Sequence, residues 1–176
     1  KDEAFLDVHD NIVWLDQHKS FTWTSEKDGW LHLYKVSRDG KQMQLITRGA
    51  FDVVNINCID PAGGYVYYIA SPDNFTQRYL YRSRLDGTGE AERVSPANMA
   101  GQHSYQISAD AKYAIHSFEN ASTPRRISLI NLTTHSEIKL MEDNAGLKNK
   151  MAELALPPKE FFKVDIGEAV LDAWMI

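Results

Sequence analysis

The side chains here that could carry chemistry are three serines spaced 46 residues apart, Ser25, Ser71 and Ser117, six histidines, and aspartates beside glycines. A serine nucleophile stands on a sharp turn, conventionally Gly-x-Ser-x-Gly, so that its oxygen is free. None of the ten glycines forms that pattern. Three serines in equivalent positions point instead to structural hydrogen bonds. The histidines are His9, His18, His32, His103, His116 and His135, and no pair has a zinc-ligand spacing with a nearby carboxylate. They are expected to be satisfied structural residues. His32 falls between Trp30 and Tyr34, and His116 precedes Ser117. Asp28, Asp39 and Asp86 sit where turns are expected, which suits Asp for backbone reasons. Gly87-Thr88-Gly89 belongs to a hairpin turn and makes no phosphate loop. Asn74-Phe75-Thr76, Asn120-Ala121-Ser122 and Asn131-Leu132-Thr133 fit the glycosylation sequon by pattern alone. The expectation is no catalytic residue, no metal site and no cofactor, with substrate-binding residues unassigned.

The elements that hold these residues follow from a repeat near 46 residues. Phe21, Tyr67 and Tyr113 are 46 apart, as are Trp23, Ile69 and Ile115. Alternate positions on a strand share one face, so the repeated unit is a strand. Leu33-Tyr34 recurs as Leu80-Tyr81 and Asp39-Gly40 as Asp86-Gly87, with Ile127–Ile130 and then Asn131–Thr134 answering in the third unit. Leu45-Ile46-Thr47, Arg93-Val94-Ser95 and Glu137-Ile138-Lys139 follow these turns. Asp-Gly between apolar alternations is a hairpin signal. Each unit is therefore a meander of about four strands, the blade of a β-propeller. The fold class is all-β: a partial β-propeller of about three four-stranded blades, with a short C-terminal helix and a linker hairpin.

The boundary is placed at residues 142/143. Residues 1–142 are the blades. In 143–176, Asp143 and Asn144 cap a short helix carrying Leu147, Met151 and Leu154, ended by Pro157-Pro158. Phe161–Ile166, a turn at Ile166–Ala169 and Val170–Ile176 make a hairpin outside the repeat.

Composition narrows the function classes. The 176 residues, 43% hydrophobic and 11% aromatic, suit one ordinary domain and exclude a disordered tail. The longest apolar run, Tyr65–Ala70, is too short for a membrane helix. A net charge of −5 with scattered basic residues argues against nucleic acid as a partner. Cys58 is the single cysteine, so no disulfide framework exists. Three blades do not close a ring, since propellers have roughly 4 to 8. The chain also starts on Lys1 and stops inside a strand, so it is expected to be a piece of a longer protein. Uncovered blade faces are expected to favour self-association, a homodimer among the outcomes.

The run Ser25-Glu26-Lys27-Asp28-Gly29-Trp30-Leu31-His32-Leu33-Tyr34, after Phe21-Thr22-Trp23-Thr24, closely resembles the propeller domain of the dipeptidyl peptidase IV family, post-proline exopeptidases of the prolyl oligopeptidase group of serine hydrolases. Leu45–Gly49 with Asp52-Val53, Gly64–Tyr68, Gly101–Ser104 with Ile107-Ser108, and Pro124 are collinear with it. Phe161–Val164 to Ala173–Ile176 resembles that family's linker hairpin into an α/β-hydrolase domain. The resemblance implies the last blades of an eight-bladed propeller, the wall and rim of a cavity that admits small proline-containing peptides. The partner is the parent's own catalytic domain, and the triad lies beyond Ile176. The family's paired glutamates have no counterpart, because no Glu-Glu occurs here. This piece is expected to be inactive alone. One cysteine where animal members carry several disulfides implies a bacterial member, periplasmic or at the cell surface.

Tripeptidyl peptidases acting after proline have a similar propeller, and this stretch does not separate the two. The alternative of another class is a non-enzymatic propeller displaying a protein-interaction surface, since Ile107–Lys112 also resembles the strand-turn of such proteins. The final hairpin discriminates against it, because a pure scaffold has no reason to leave the repeat. A sialidase-like propeller would need Ser-x-Asp-x-Gly, whereas Asp28 and Gly29 are adjacent.

Overall fold

The computed structural model describes residues 12–154, 157 and 159–176. His9 and Pro158 lie outside the described residues. Three four-stranded antiparallel meanders follow one another, each with its strands in chain order. Blade 1 holds β1 (Trp14–Leu15), β2 (Ser20–Ser25), β3 (His32–Ser37) and β4 (Met43–Leu45). Blade 2 holds β5 (Asn55–Asp60), β6 (Tyr65–Ala70), β7 (Tyr79–Arg84) and β8 (Glu92–Arg93). Blade 3 holds β9 (Gln102–Ile107), β10 (Tyr113–Asn120), β11 (Thr123–Asn131) and β12 (Glu137–Glu142). A helix, α1 (Ala145–Glu153), and a hairpin of β13 (Glu160–Asp165) and β14 (Val170–Met175) follow.

The turns form as the residue types dictate. Gly40 and Gly87 take positive φ, +71° and +66°, after Asp39 and Asp86. Asp39 Oδ1 accepts from the Ser37 hydroxyl and the Lys41 amide, and Asp86 Oδ1 from the Thr88 hydroxyl and amide. Those hydroxyl and amide bonds hold both carboxyls below the usual carboxylate range. In blade 3 the side chain of Asn131 takes that part, accepting from Thr134, and His135 carries the positive φ of 53°.

The core lies between blades. Val66, Tyr68, Ala70, Tyr79 and Tyr81 pack with Leu33, Ile46, Phe51 and Val53 in the first seam. Tyr67, Ile69 and Leu80 pack with Tyr105, Ala111, Ala114, Ile130 and Leu132 in the second. Blade 2 is thus covered on both faces, which explains the unbroken apolar run Tyr65–Ala70. Each fully buried side chain here contributes about 1.5–3 kcal/mol. On blade 3 the outward face leaves Tyr113 and Ile115 47% and 37% exposed.

The structure corrects the spacing of the repeat. Equivalent closing bonds run from Arg38 to the Lys19 carbonyl, from Leu85 to Gly64 and from Leu132 to Lys112, each 2.9 Å. Third strands therefore keep a 47-residue step, but second strands step by 45 and then 48. Phe21 corresponds to Val66 and Ala114, not to Tyr67 and Tyr113. Thr24 pairs with Leu33, which faces blade 2, so Phe21, Trp23 and Ser25 lie on the opposite face. Tyr67 and Ile69 face the following blade instead. The cause is the length of chain between equivalent paired residues: six residues separate Ser25 from His32, eight separate Ala70 from Tyr79, and seven separate Phe118 from Arg126.

A hydroxyl closes each of the first two blades. Thr47 Oγ1 accepts the Leu33 amide at 2.9 Å and Ser95 Oγ accepts the Leu80 amide at 2.7 Å, all buried. Ser95→Ala strands the Leu80 N–H without water, so a loss of about 1–3 kcal/mol is expected in urea unfolding.

The helix forms one residue inside its expected caps. Asp143 Oδ1 accepts the Ala145 amide at 2.9 Å, a capping bond. Asn144 adopts left-handed backbone and turns its amide to the Arg125 carbonyl instead of capping, tying α1 to β11. In the hairpin, Ile166 and Ala169 close the turn with Gly167 at φ +86°.

Candidate functional site

The densest group of ionisable side chains is a histidine cluster in the seam between blades 2 and 3. The β9–β10 hairpin pairs Tyr105 with His116 and His103 with Phe118 on the face toward blade 2. The turn after β11 brings in His135, and the segment after β8 brings in Ser95 and Met99. His103 Nδ1 lies 2.9 Å from His116 Nε2, and His103 Nε2 lies 2.8 Å from the Met99 carbonyl. Tyr105 Oη is 2.9 Å from His135 Nε2, 3.0 Å from Ser95 Oγ and 3.3 Å from His103 Nδ1. The rings of Tyr105 and His116 stack at 4.5 Å between centroids.

Donor and acceptor bookkeeping fixes the protons. A carbonyl only accepts, so His103 carries its hydrogen on Nε2 and its Nδ1 is a bare acceptor. His116 must then donate from Nε2. Ser95 Oγ accepts the Leu80 amide and shares a further hydrogen bond with the Tyr105 hydroxyl, which also bonds His135 Nε2. Burial pulls the pKa of His103 down to about 4 and that of His116 down to about 3, with the charge of His135 adding to both. His135 is lowered for the same reason, and burial raises Tyr105. All three imidazoles are neutral at pH 7. A cavity of about 250 Å³ opens beside them, lined by Met99, His116, Arg126, Ser128, His135 and Glu137. Arg126 is paired with Glu137 at 2.7 Å, and Ser128 donates to Glu137 at 2.6 Å. Among the described residues no set of three or more His, Cys, Asp and Glu side chains is arranged to hold a metal ion.

A second feature lies at the end of the blades that carries the β6–β7 and β10–β11 turns. A groove of about 640 Å³ runs between Thr76, Gln77, Gln102 and Asn120 on that end and Phe161 and Trp174 of the hairpin. Two of its polar side chains are engaged, Gln102 donating to the Thr76 carbonyl and Asn120 to the Ala100 carbonyl. The hairpin is exposed on both faces, Trp174 by 61%.

Residues 1–125 match the sequence model of the family described as dipeptidyl peptidase IV (DPP IV) N-terminal region. This chain belongs to the dipeptidyl peptidase IV family. It is 31% identical over 143 residues to a probable dipeptidyl-aminopeptidase B of Emericella nidulans, covering 79% of this chain and 16% of the relative. A probable dipeptidyl peptidase 4 of the same fungus is 30% identical over 142 residues, covering 81% and 18%. The crystal structure of Porphyromonas gingivalis dipeptidyl peptidase 4 superposes with a TM-score of 0.79 at 27% identity, over 93% of this chain and 22% of that one. The chain thus spans under a quarter of the length of these relatives, and it matches the N-terminal propeller region of dipeptidyl peptidase IV-like enzymes. The reading as a free-standing binding propeller is not favoured.

Within that propeller region the serines sit in local structure. Ser25 Oγ accepts the Lys27 amide at 3.3 Å, and Ser71 bonds the Gln77 carbonyl and Arg78. Asp28 does more than shape a turn: its Oδ2 lies 2.9 Å from His32 Nδ1. Burial opposes ionisation of Asp28, but bonds from His32 and Tyr34 outweigh it and lower its pKa. The sequon asparagines stand at turns, Asn74 within one and Asn120 and Asn131 as the last residues of β10 and β11. Asn74 accepts from Thr76 and Asn120 from Ser122. The contact of His103, His116 and His135 escaped the sequence reading. Its one available signal was the β9–β10 hairpin register, which sets His103 and His116 two rungs apart on one face.

Proposed function

We propose that this chain is the last part of the propeller of a post-proline dipeptidyl peptidase of the serine type, forming the wall and rim of a cavity that admits small proline-containing peptides. The match of residues 1–125 to the family's N-terminal region carries this reading. The exposed apolar hairpin beside the turn end of the blades supports it, because such a hairpin is suited to packing on a further domain. That partner is an α/β-hydrolase domain beyond Ile176, and residues 143–176 form the passage toward it. A homodimer of the parent is a further partner in this reading. The parent works outside the cytosol, at the periplasm or cell surface of a bacterium. No described helix is long and apolar enough to cross a membrane.

The test is to read the open frame beyond Ile176 over about 250 residues, the size of an α/β domain. Gly-x-Ser-x-Gly followed by Asp and His, with release of Xaa-Pro dipeptides by the long product and none by residues 1–176 alone, is the expected result. A stop codon shortly after Ile176 would overturn the peptidase reading.

A further inference from the structure

The histidine seam holds two buried rings nitrogen to nitrogen. His103 is fixed between a carbonyl that only accepts and the N–H of His116, 2.8 and 2.9 Å away. A proton on His103 Nδ1 forces His116 to move its own hydrogen from Nε2 to Nδ1, and a proton on each ring sets Nδ1–H of His103 against Nε2–H of His116, donor against donor. A second proton on His116 would go on Nδ1, in a cavity that already holds Arg126. The groups facing the pair come from every packed element. Tyr79 on β7 lies 5.6 Å from the His103 ring, and Arg93 on β8 sits over Tyr79 at 3.6 Å. Tyr105 on β9, Arg126 on β11, Glu137 on β12 and His135 complete the surroundings. Glu137 is the one carboxylate among them, and it is engaged by Arg126 and Ser128.

The first seam is built differently. Its buried contacts are apolar and aromatic, and His32 pairs with Ser25 on the opposite face of blade 1, where its Nδ1 lies 2.9 Å from Asp28 Oδ2.

We propose that the seam between blades 2 and 3 is an acid-sensitive clasp: protonation of the His103–His116 pair parts blade 3 from blade 2 while blades 1 and 2 stay joined. Parting needs only the second seam to open, because the backbone tie across it consists of the Arg78–Gly101 and His103–Arg78 bonds, each 3.1 Å. The sign follows from linkage. A histidine held neutral in the closed state binds its proton only on opening, so closure is fully favoured above the ordinary value of 6.5. It weakens as pH falls from there toward about 4 for His103 and about 3 for His116.

Hydrogen exchange of the full chain at pH 7 and pH 4.5, corrected for intrinsic rates, tests this. At pH 4.5 one histidine kept neutral shifts the opening equilibrium by up to about a hundredfold. Amides of β9 and β10 should lose at least about tenfold protection, while β2 and β3 change by less than about threefold. Equal losses in both regions, or none in β9 and β10, would overturn the proposal. The double variant His103→Gln with His116→Gln should lose the acid response of β9 and β10 although it starts from lower protection. A variant that keeps the wild-type response would overturn it as well. Should the variant fail to fold, the two-region comparison in the wild-type chain decides alone.

Discussion

Tyr68→Ala is expected to destabilise the chain by about 3–5 kcal/mol, the range for removing a large aromatic from a core. Tyr68 is fully buried, stacked on Phe51 and Tyr81 at 6.2 and 6.3 Å, and its hydroxyl pairs with Ser83 at 2.9 Å. Burial pushes its pKa up to about 12, as expected of a phenol far from water. Removing the ring opens the first seam at its centre, where neither blade can collapse without breaking its own ladder. Tyr68→Phe separates the two contributions. It keeps the ring and leaves Ser83 without its partner, so the loss should be about 1–3 kcal/mol. Urea unfolding of the three proteins measures both. Equal midpoints for wild type and Tyr68→Ala would show that the first seam does not hold the blades together.

Gly101→Ala is expected to cost about 3 kcal/mol or more, toward the upper end for overpacking. A Cβ there would stand 2.5 Å from the Glu119 carbonyl oxygen, 2.8 Å from the Phe118 ring and 3.0 Å from Asn120 Cβ. The oxygen belongs to the neighbouring strand and cannot swing aside as a side chain can. The Gly101 carbonyl also receives the Arg78 amide, so displacement of Gly101 breaks the tie between blades 2 and 3. The control is Gly146→Ala in α1, where a Cβ meets nothing within 4 Å and stability should rise slightly. Thermal melts of the two variants should shift in opposite directions.

The blades were legible in the sequence because two local rules agree there. Strand alternation marks β2, β6 and β10, and Asp-Gly marks the turns after β3 and β7. Both rules act within a few residues, so neither depends on the assembled molecule. The pairing of faces was not legible. A fixed period of 46 aligned Phe21 with Tyr67, because the two aromatics resemble each other. The structure aligns Phe21 with Val66, because loop length decides which residue reaches which face. The short outer strands β4 and β8 owe their place to closing bonds that the Leu33 and Leu80 carbonyls accept from the Ile46 and Val94 amides, a nonlocal cause. The histidine cluster is nonlocal twice over. It needs the β9–β10 register to align His103 with His116, and the left-handed backbone at His135 to turn a third ring inward. Asn144 was misread for a related reason: its residue type suits a cap, but a carbonyl on β11 lay within its reach.

The unequal turns between second and third strands have a consequence for how such a molecule diversifies. They overhang the sheets, so residues can be added or removed there without moving a single rung. Phe75 stands at the tip of the eight-residue version and is 60% exposed. Thr76 and Gln77 of the same turn, with Ala121 and Ser122 of the two-residue version, border the groove beneath the hairpin. The contour of that groove is therefore heritable separately from the stack that carries it. Lineages can recut the opening while inheriting the blades unchanged.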